Sequence, residues 1–261
     1  MPSLSSRRRL KGEALVSSLL VLLLMGSAPT TAPSLRQALS TVDSLRAQGR
    51  FPAALGRLDS LKQVHPDTAA VHWRRALLLA DLGKRTDPTA RKRALFKRSL
   101  RASRAALALD STSAWAHLTT ALAQGRLTLH VGTAERVRRS RDVKQHADRA
   151  LALDSTLAAA YHLRGRWHRQ VADLNFLERA LVKGLYGGLP NASFEQSVWN
   201  FKQAIARESK PYNHLELAKT YLAMDRSDAA VSQLRKSLQT SGSPFDAEYK
   251  EEARALLQEI D

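Results

Sequence analysis

The sequence predicts an all-α protein, a right-handed superhelix of helix-turn-helix pairs closed by a C-terminal capping helix. Three observations carry that expectation. The first is a repeated phrase: Ala106-Leu-Ala-Leu-Asp110-Ser-Thr112 returns as Ala150-Leu-Ala-Leu-Asp154-Ser-Thr156, an offset of 44 residues. Each copy closes a Leu-rich helix, turns on Asp-Ser-Thr and opens a new apolar helix, and units of such a period mean a solenoid of stacked pairs. The second is composition: 44% apolar residues dominated by Ala and Leu, with only 6% aromatics, suits closely packed helices and not a sheet. The third is punctuation, since Gly, Pro and short polar runs fall between helix-length apolar stripes throughout.

Taken in order, Leu35 to Gln48 carries Leu35, Ala38, Leu39, Val42 and Leu45 at helical spacing. Gly49-Arg50 is the turn, and Phe51 to Val64 follows with Ala54, Leu58 and Leu61 on one face and Pro52 in its first turn. Gly at the inter-helix turn, a small residue five on, a large apolar one four later and a closing Pro66 form the tetratricopeptide pattern. Ala69 to Leu82, closed by Gly83, begins the second pair, whose partner waits until about residue 90 behind Lys84 to Ala90. The third pair runs from Ala114 to about Leu127 and from about 134 to 153. Ala158 to Ala172 starts the fourth, with Gly165 where the two helices must approach closely. An insertion at 173–191 follows, and its Phe176–Tyr186 part reads as an extra amphipathic helix broken by Gly187-Gly188-Leu-Pro190. Ser193-Phe-Glu-Gln196 is a capping box that opens the partner helix, which runs to about 207. Ala218, Tyr221, Asp225, Ala230, Leu234 and Ser237 mark the last pair, and Asp246 to Ile260 is the polar-backed capping helix.

The first 32 residues read as a targeting segment. Arg7, Arg8, Arg9 and Lys11 precede an apolar core from Ala14 to Met25, and small residues follow to Ala32. Twelve residues of helix span about 18 Å, short of the roughly 30 Å hydrocarbon core, so a cleaved signal is expected ahead of an uncleaved anchor. The chain is therefore read as a signal at 1–32 and a repeat domain at 33–261, exported to the periplasm or secreted. Cleavage would remove four bases and one acid, lowering the net charge from +17 to +14. That charge favours an acidic or amphipathic protein or peptide, an anionic phospholipid, or peripheral contact with a membrane surface; export disfavours nucleic acid.

No chemistry-bearing constellation stands out. There is no Cys, and the eight His residues form no HExxH or other ligand spacing, so neither a metal nor a cofactor is expected. No Gly-x-Ser-x-Gly turn and no phosphate loop is present, which points to a non-enzymatic protein that acts by binding. The first helices of the pairs should line a concave groove. A stripe of 3–4 spacing selects Ala70, Trp73 and Leu77; Trp115, Leu118 and Leu122; His162, Arg166 and Arg169; and Tyr212, Leu215, Lys219 and Leu222. Arg166, Arg169 and Lys219 suit a carboxylate or phosphate, whereas Trp73 and Trp115 could equally be core. The second helices carry Arg93, Lys97, Arg101 and Arg104, then Arg136, Arg138, Arg139, Arg141 and Lys144, either as a solvated convex face or as a patch for an anionic surface. The inserted helix should bury its apolar stripe as a buttress, or wall the groove with Leu181, Leu185 and Tyr186 near Arg166 and Arg169.

The stretch Tyr161-His-Leu-Arg-Gly-Arg-Trp167-His, with Val171-Ala-Asp-Leu174, Leu177-Glu-Arg179, Tyr186-Gly-Gly-Leu-Pro190 and Tyr212-Asn-His-Leu-Glu-Leu-Ala-Lys-Thr-Tyr221, resembles the regulator of microtubule dynamics family of tetratricopeptide proteins. The likeness runs over roughly residues 35–260. It implies eukaryotic relatives associated with microtubules and organelle contact sites, some of them binding phospholipid through this domain, and bacterial relatives with export signals. The scaffold is what such a resemblance carries over, with lipid binding as the alternative to a protein partner.

Overall fold

The repeated phrase turns the chain in the same way at both places. In the computed structural model, which describes residues 33–87 and 89–260, Asp110 accepts hydrogen bonds from the Thr112 hydroxyl at 2.7 Å and the Thr112 N–H at 2.9 Å. Asp154 accepts the same two from Thr156 at 2.6 and 2.9 Å. These donors hold both carboxyl groups below the usual carboxylate range. A side chain that satisfies local donors makes the turn competitive with further helix, so each helix stops there.

The resulting order is α1 (Leu35–Ala47), α2 (Phe51–Val64), α3 (Ala69–Lys84), α4 (Thr89–Leu109), α5 (Ala114–Thr128), α6 (Thr133–Leu153), α7 (Ala158–Ala172), α8 (Phe176–Tyr186), α9 (Phe194–Arg207), α10 (Pro211–Leu222), α11 (Ser227–Gln239) and α12 (Asp246–Ile260). No strand occurs among the described residues. The pairs are α1/α2, α3/α4, α5/α6, α7/α9 and α10/α11, with α8 inserted in the fourth connection. First helices touch one another in sequence, α3 to α5 to α7 to α10, and so form the inner layer of the superhelix. The targeting segment read at residues 1–32 lies outside the described residues.

Glycine sets how closely the helices of a pair approach. A Cβ on Gly165 would stand 3.0 Å from the ring of Phe201, a fully buried side chain of α9. Gly83 does the same work in the second pair, where a Cβ would come within 2.5 Å of Phe96. The expectation that Gly83 ends its helix is therefore corrected: α3 runs on to Lys84, and the glycine is a packing contact inside it. At Gly187 the conformational reason is different. It holds φ 71°, and its N–H and that of Gly188 bond back to Lys183 and Val182 carbonyls at 3.1 and 3.0 Å, terminating α8.

The capping helix does more than cover the last pair. Ala253, Leu256, Leu257 and Ile260 pack on the α10/α11 core. At its other end Phe245 lies 5.4 Å from Phe51 of α2, Arg85 pairs with Glu248 at 3.1 Å, and Lys84 sits 4.0 Å over Phe245 and 3.8 Å over Tyr249. The last helix thus meets the first two pairs and walls the concave side. Of the two expectations for α8, a buttress or a wall of the groove, the wall is not what forms: α8 packs on α6, where Arg141 donates to the carbonyls of Tyr186 and Gly188.

Candidate functional site

The inner layer places a charged cluster on the concave face. Its anchor is Glu216 of α10, which is 8% exposed. Arg169 donates to its Oε2, Arg166 Nε stands 3.6 Å from the same oxygen, and Lys219 Nζ lies 3.6 Å from Oε1. Burial alone would push this carboxyl up; Arg166, Arg169 and Lys219 outweigh it and hold the pKa at about 2. Lys219 is shared with Glu252 of α12 at 2.5 Å. Three of the cations expected on the groove, Arg166, Arg169 and Lys219, therefore meet at one point although they come from two helices.

Beyond this knot the cations exceed the carboxylates. Arg126 projects from the last turn of α5 into a narrow cleft of about 60 Å³ lined in part by Leu122, Leu163, Arg166 and Gln170. Its Nε is out of solvent and has no hydrogen-bond partner, as is also true of Nε of Arg166 and Arg169 and Nζ of Lys84. No carboxylate among the described residues stands within ion-pair distance of Arg126 or Lys84. Burial, then the neighbouring Arg166, push the Arg126 pKa down. Burial, then Arg126, lower that of Lys84 to about 8. Arg126, without an ion-pair partner, and Arg166, paired only with Glu216, repel each other, and an anion beside Arg126 relieves both its burial and that repulsion. The fork of N–H donors suits a planar carboxylate or a phosphate.

The other groove residues take different places. Trp73 and Trp115 stack at 4.8 Å and 15° across α3 and α5, both half-buried, with Arg74 4.0 Å over Trp73. His162 Nδ1 donates to Asn213 Oδ1 at 2.8 Å, and the ring meets Tyr212 edge-on at 4.9 Å; burial pushes its pKa down to about 4, so it is neutral near pH 7. As an amide oxygen can only accept, the ring carries its proton on Nδ1. Leu118 is 3% exposed and Leu215 fully buried, so both belong to the core and not to the groove surface.

On the convex side, Arg93, Lys97, Arg101 and Arg104 are exposed along α4, as are Arg138 and Arg141 on α6. Arg139 departs from that face: it turns inward, donating to Gln124 and pairing with Glu135 at 2.5 Å. Among the described residues no three His, Asp or Glu gather at metal-binding distance.

Sequence reasoning missed Lys84, Arg126, Glu216 and Tyr249. Lys84 lies two helical turns beyond the end of the Trp73–Leu77 stripe, and Arg126 one turn beyond the Trp115–Leu122 stripe. Glu216 falls between Tyr212 and Lys219 at spacings of four and three and was passed over for its neighbour Leu215. Only Tyr249, brought in by α12, had no local signal.

Comparison with known proteins bears on the fold and the family. The chain is 28% identical over 224 residues to regulator of microtubule dynamics protein 1 of Caenorhabditis elegans, covering 85% of this chain and 99% of that one. It is 25% identical to the Bos taurus protein 1 over 85% of this chain and 71% of the relative. Against protein 3 of Xenopus laevis the match is 28% over 55% of this chain, and spans only 31% of the longer relative. Among solved structures, a thermophilic TPR protein of Thermus thermophilus superposes with a TM-score of 0.62 at 21% identity, covering 85% of this chain and 98% of that one, a likeness of fold. The elements that carried the resemblance are structural: Asn175 and Glu178 form a capping box, Arg179 donates to the carbonyls of Leu174 and Ala172, and Trp167 Nε1 donates to the Ser140 carbonyl at 2.8 Å. The profile of the regulator of microtubule dynamics protein 1-3 family matches residues 38–261, and the chain belongs to that family.

Proposed function

We propose that this protein is an exported, non-enzymatic TPR scaffold that holds an acidic segment of a protein partner against its concave face. The observation that carries the reading is the pair of cations without an ion-pair partner, Lys84 and Arg126, beside Arg166 at the edge of the compensated knot on Glu216. The stacked Trp73–Trp115 pair offers an apolar platform on the same inner layer, which suits an amphipathic segment. The cleft favours a carboxylate side chain over a diacyl lipid: about 60 Å³ is far below the roughly 300–1,000 Å³ of pockets that enclose a small-molecule ligand. Export rests on the tripartite pattern of residues 1–32. Among the described residues no helix is long and apolar enough to cross a membrane.

A photoreactive amino acid installed at Leu122, in the cleft wall, tests this in the native organism. Crosslinking is expected to yield a polypeptide adduct. Adducts confined to phospholipid would overturn the protein reading and support the lipid one.

A further inference from the structure

The inserted helix was expected to bury its apolar stripe, and it does not. Phe176 is 82% exposed, Leu177 75%, Leu181 51% and Leu185 65%. With Ala180 and Gly184 these side chains form one unbroken arc over half the circumference of α8. Only Val182 is buried on the other side. Large exposed apolar patches of this kind mark an interaction site.

The helix is firmly held in that pose. Asn175 and Glu178 cap its start reciprocally at 2.9 Å each, Gly187 ends it, Arg179 ties it to the α7–α8 connection, and Arg141 of α6 grips its last carbonyls. A helix fixed at both ends presents its arc in one fixed orientation, with no collapse onto the neighbouring surface.

Charge identifies what covers it. Lys183 flanks the arc on α8 itself, and the exposed Arg141 stands behind it on α6; Arg138, further along α6, is paired with Glu135 at 2.7 Å. The first turn of α6 shares a cleft with Arg93 and Lys97 of α4, a helix with seven bases and no acid. Glu178 borders the arc on its other side and is engaged in the helix cap, so Lys183, Arg179 and Arg141 leave the surround net basic, the pattern of a helix lying in the plane of an anionic bilayer surface. A second copy fits badly: an 11-residue helix face offers far less than the roughly 800 Å² per partner of a stable interface, and pairing would bring two basic borders together.

We infer that α8, with the basic residues of α6 beside it, is a peripheral docking element for an anionic lipid surface. Phe176, Leu177, Leu181 and Leu185 enter the headgroup–acyl boundary, and Lys183, with Arg141 behind it, faces the anionic headgroups. This docking is independent of what the concave face holds and of how residues 1–32 are processed.

The chain contains no Cys, so Leu181→Cys in the full-length protein gives a single site for an environment-sensitive NBD label. Vesicles of phosphatidylglycerol and phosphatidylcholine are expected to raise the NBD emission severalfold with a blue shift, and spin-labelled acyl chains to quench it. Pure phosphatidylcholine vesicles should give a much smaller response, and Lys183→Glu in the labelled protein should weaken the anionic response severalfold. No response to anionic vesicles from the folded protein would overturn the proposal. So would an emission rise that follows protein concentration without vesicles, which would assign the arc to a second copy.

Discussion

Glu216→Ala is expected to lower the unfolding free energy by about 3–5 kcal/mol, the usual cost of removing one partner from a buried ion cluster. The carboxylate is 8% exposed and answers three cations, Arg166, Arg169 and Lys219. Without it, Arg166 and Arg169 remain recessed beside Arg126 with no acid in reach. Lys219 is less affected, because Glu252 still holds it at 2.5 Å. Urea unfolding followed by circular dichroism measures the loss. Adding Arg169→Met to the variant should recover part of it, since a cation is then removed along with its lost partner. An unchanged midpoint for Glu216→Ala would show that the cluster is solvated and contributes no constraint.

Gly165→Leu should cost about 3 kcal/mol, at the upper end of what overpacking usually does. Its first side-chain atom would already press on Phe201 at 3.0 Å, and Phe201 is fully buried between α7, α9 and α10. The ring cannot retreat: Ser197 of the same helix bonds to the Gly165 carbonyl at 2.9 Å and to Thr220 of α10, fixing the pair laterally. Helices α7 and α9 must then separate, which opens the layer that carries Arg166 and Arg169. Gly56 is the control. A Cβ there meets nothing within 4 Å, so Gly56→Ala should be neutral or slightly stabilising. Thermal melts of the two variants compare them directly, and equal melting temperatures would contradict the packing described for the fourth pair.

These two positions also show what was legible in the sequence. Gly165 could be read because a glycine inside an Ala-rich helix has few reasons to be there other than close approach. Helix limits could be read because caps and turns are local: Phe51–Val64, Ala158–Ala172 and Asp246–Ile260 fall where the apolar stripes and their punctuation put them. Glu216 was not legible as an anchor, because its role depends on arginines 47 and 50 residues away. The closing of the groove was hidden for the same reason. Nothing near Phe245 or Tyr249 states that they reach Phe51 and Lys84, a contact set by the curvature accumulated over five pairs. The apolar stripe of α8 was read correctly as a stripe and wrongly as buried. A helix-spaced pattern reports a face that favours apolar surroundings, and those surroundings need not be this chain.

Lys84 and Arg126, with Arg166 of the Glu216 knot beside them, are the proposed site for an anionic group. Its most direct test is a titration of the full-length protein with a fluorescent amphipathic peptide of Glu and Leu, at several pH values, for wild type, Arg126→Gln and Arg166→Gln. Each substitution should weaken binding at least tenfold, or about 1.4 kcal/mol. The pH dependence has a definite sign. Lys84 titrates at about 8, so it is charged below that value and neutral above it, and an anion binds the charged form better. Wild-type affinity should therefore fall as pH rises from 7 to 9, over a range in which Glu is ionised throughout. Equal affinity for all three proteins, flat across that range, would contradict the account.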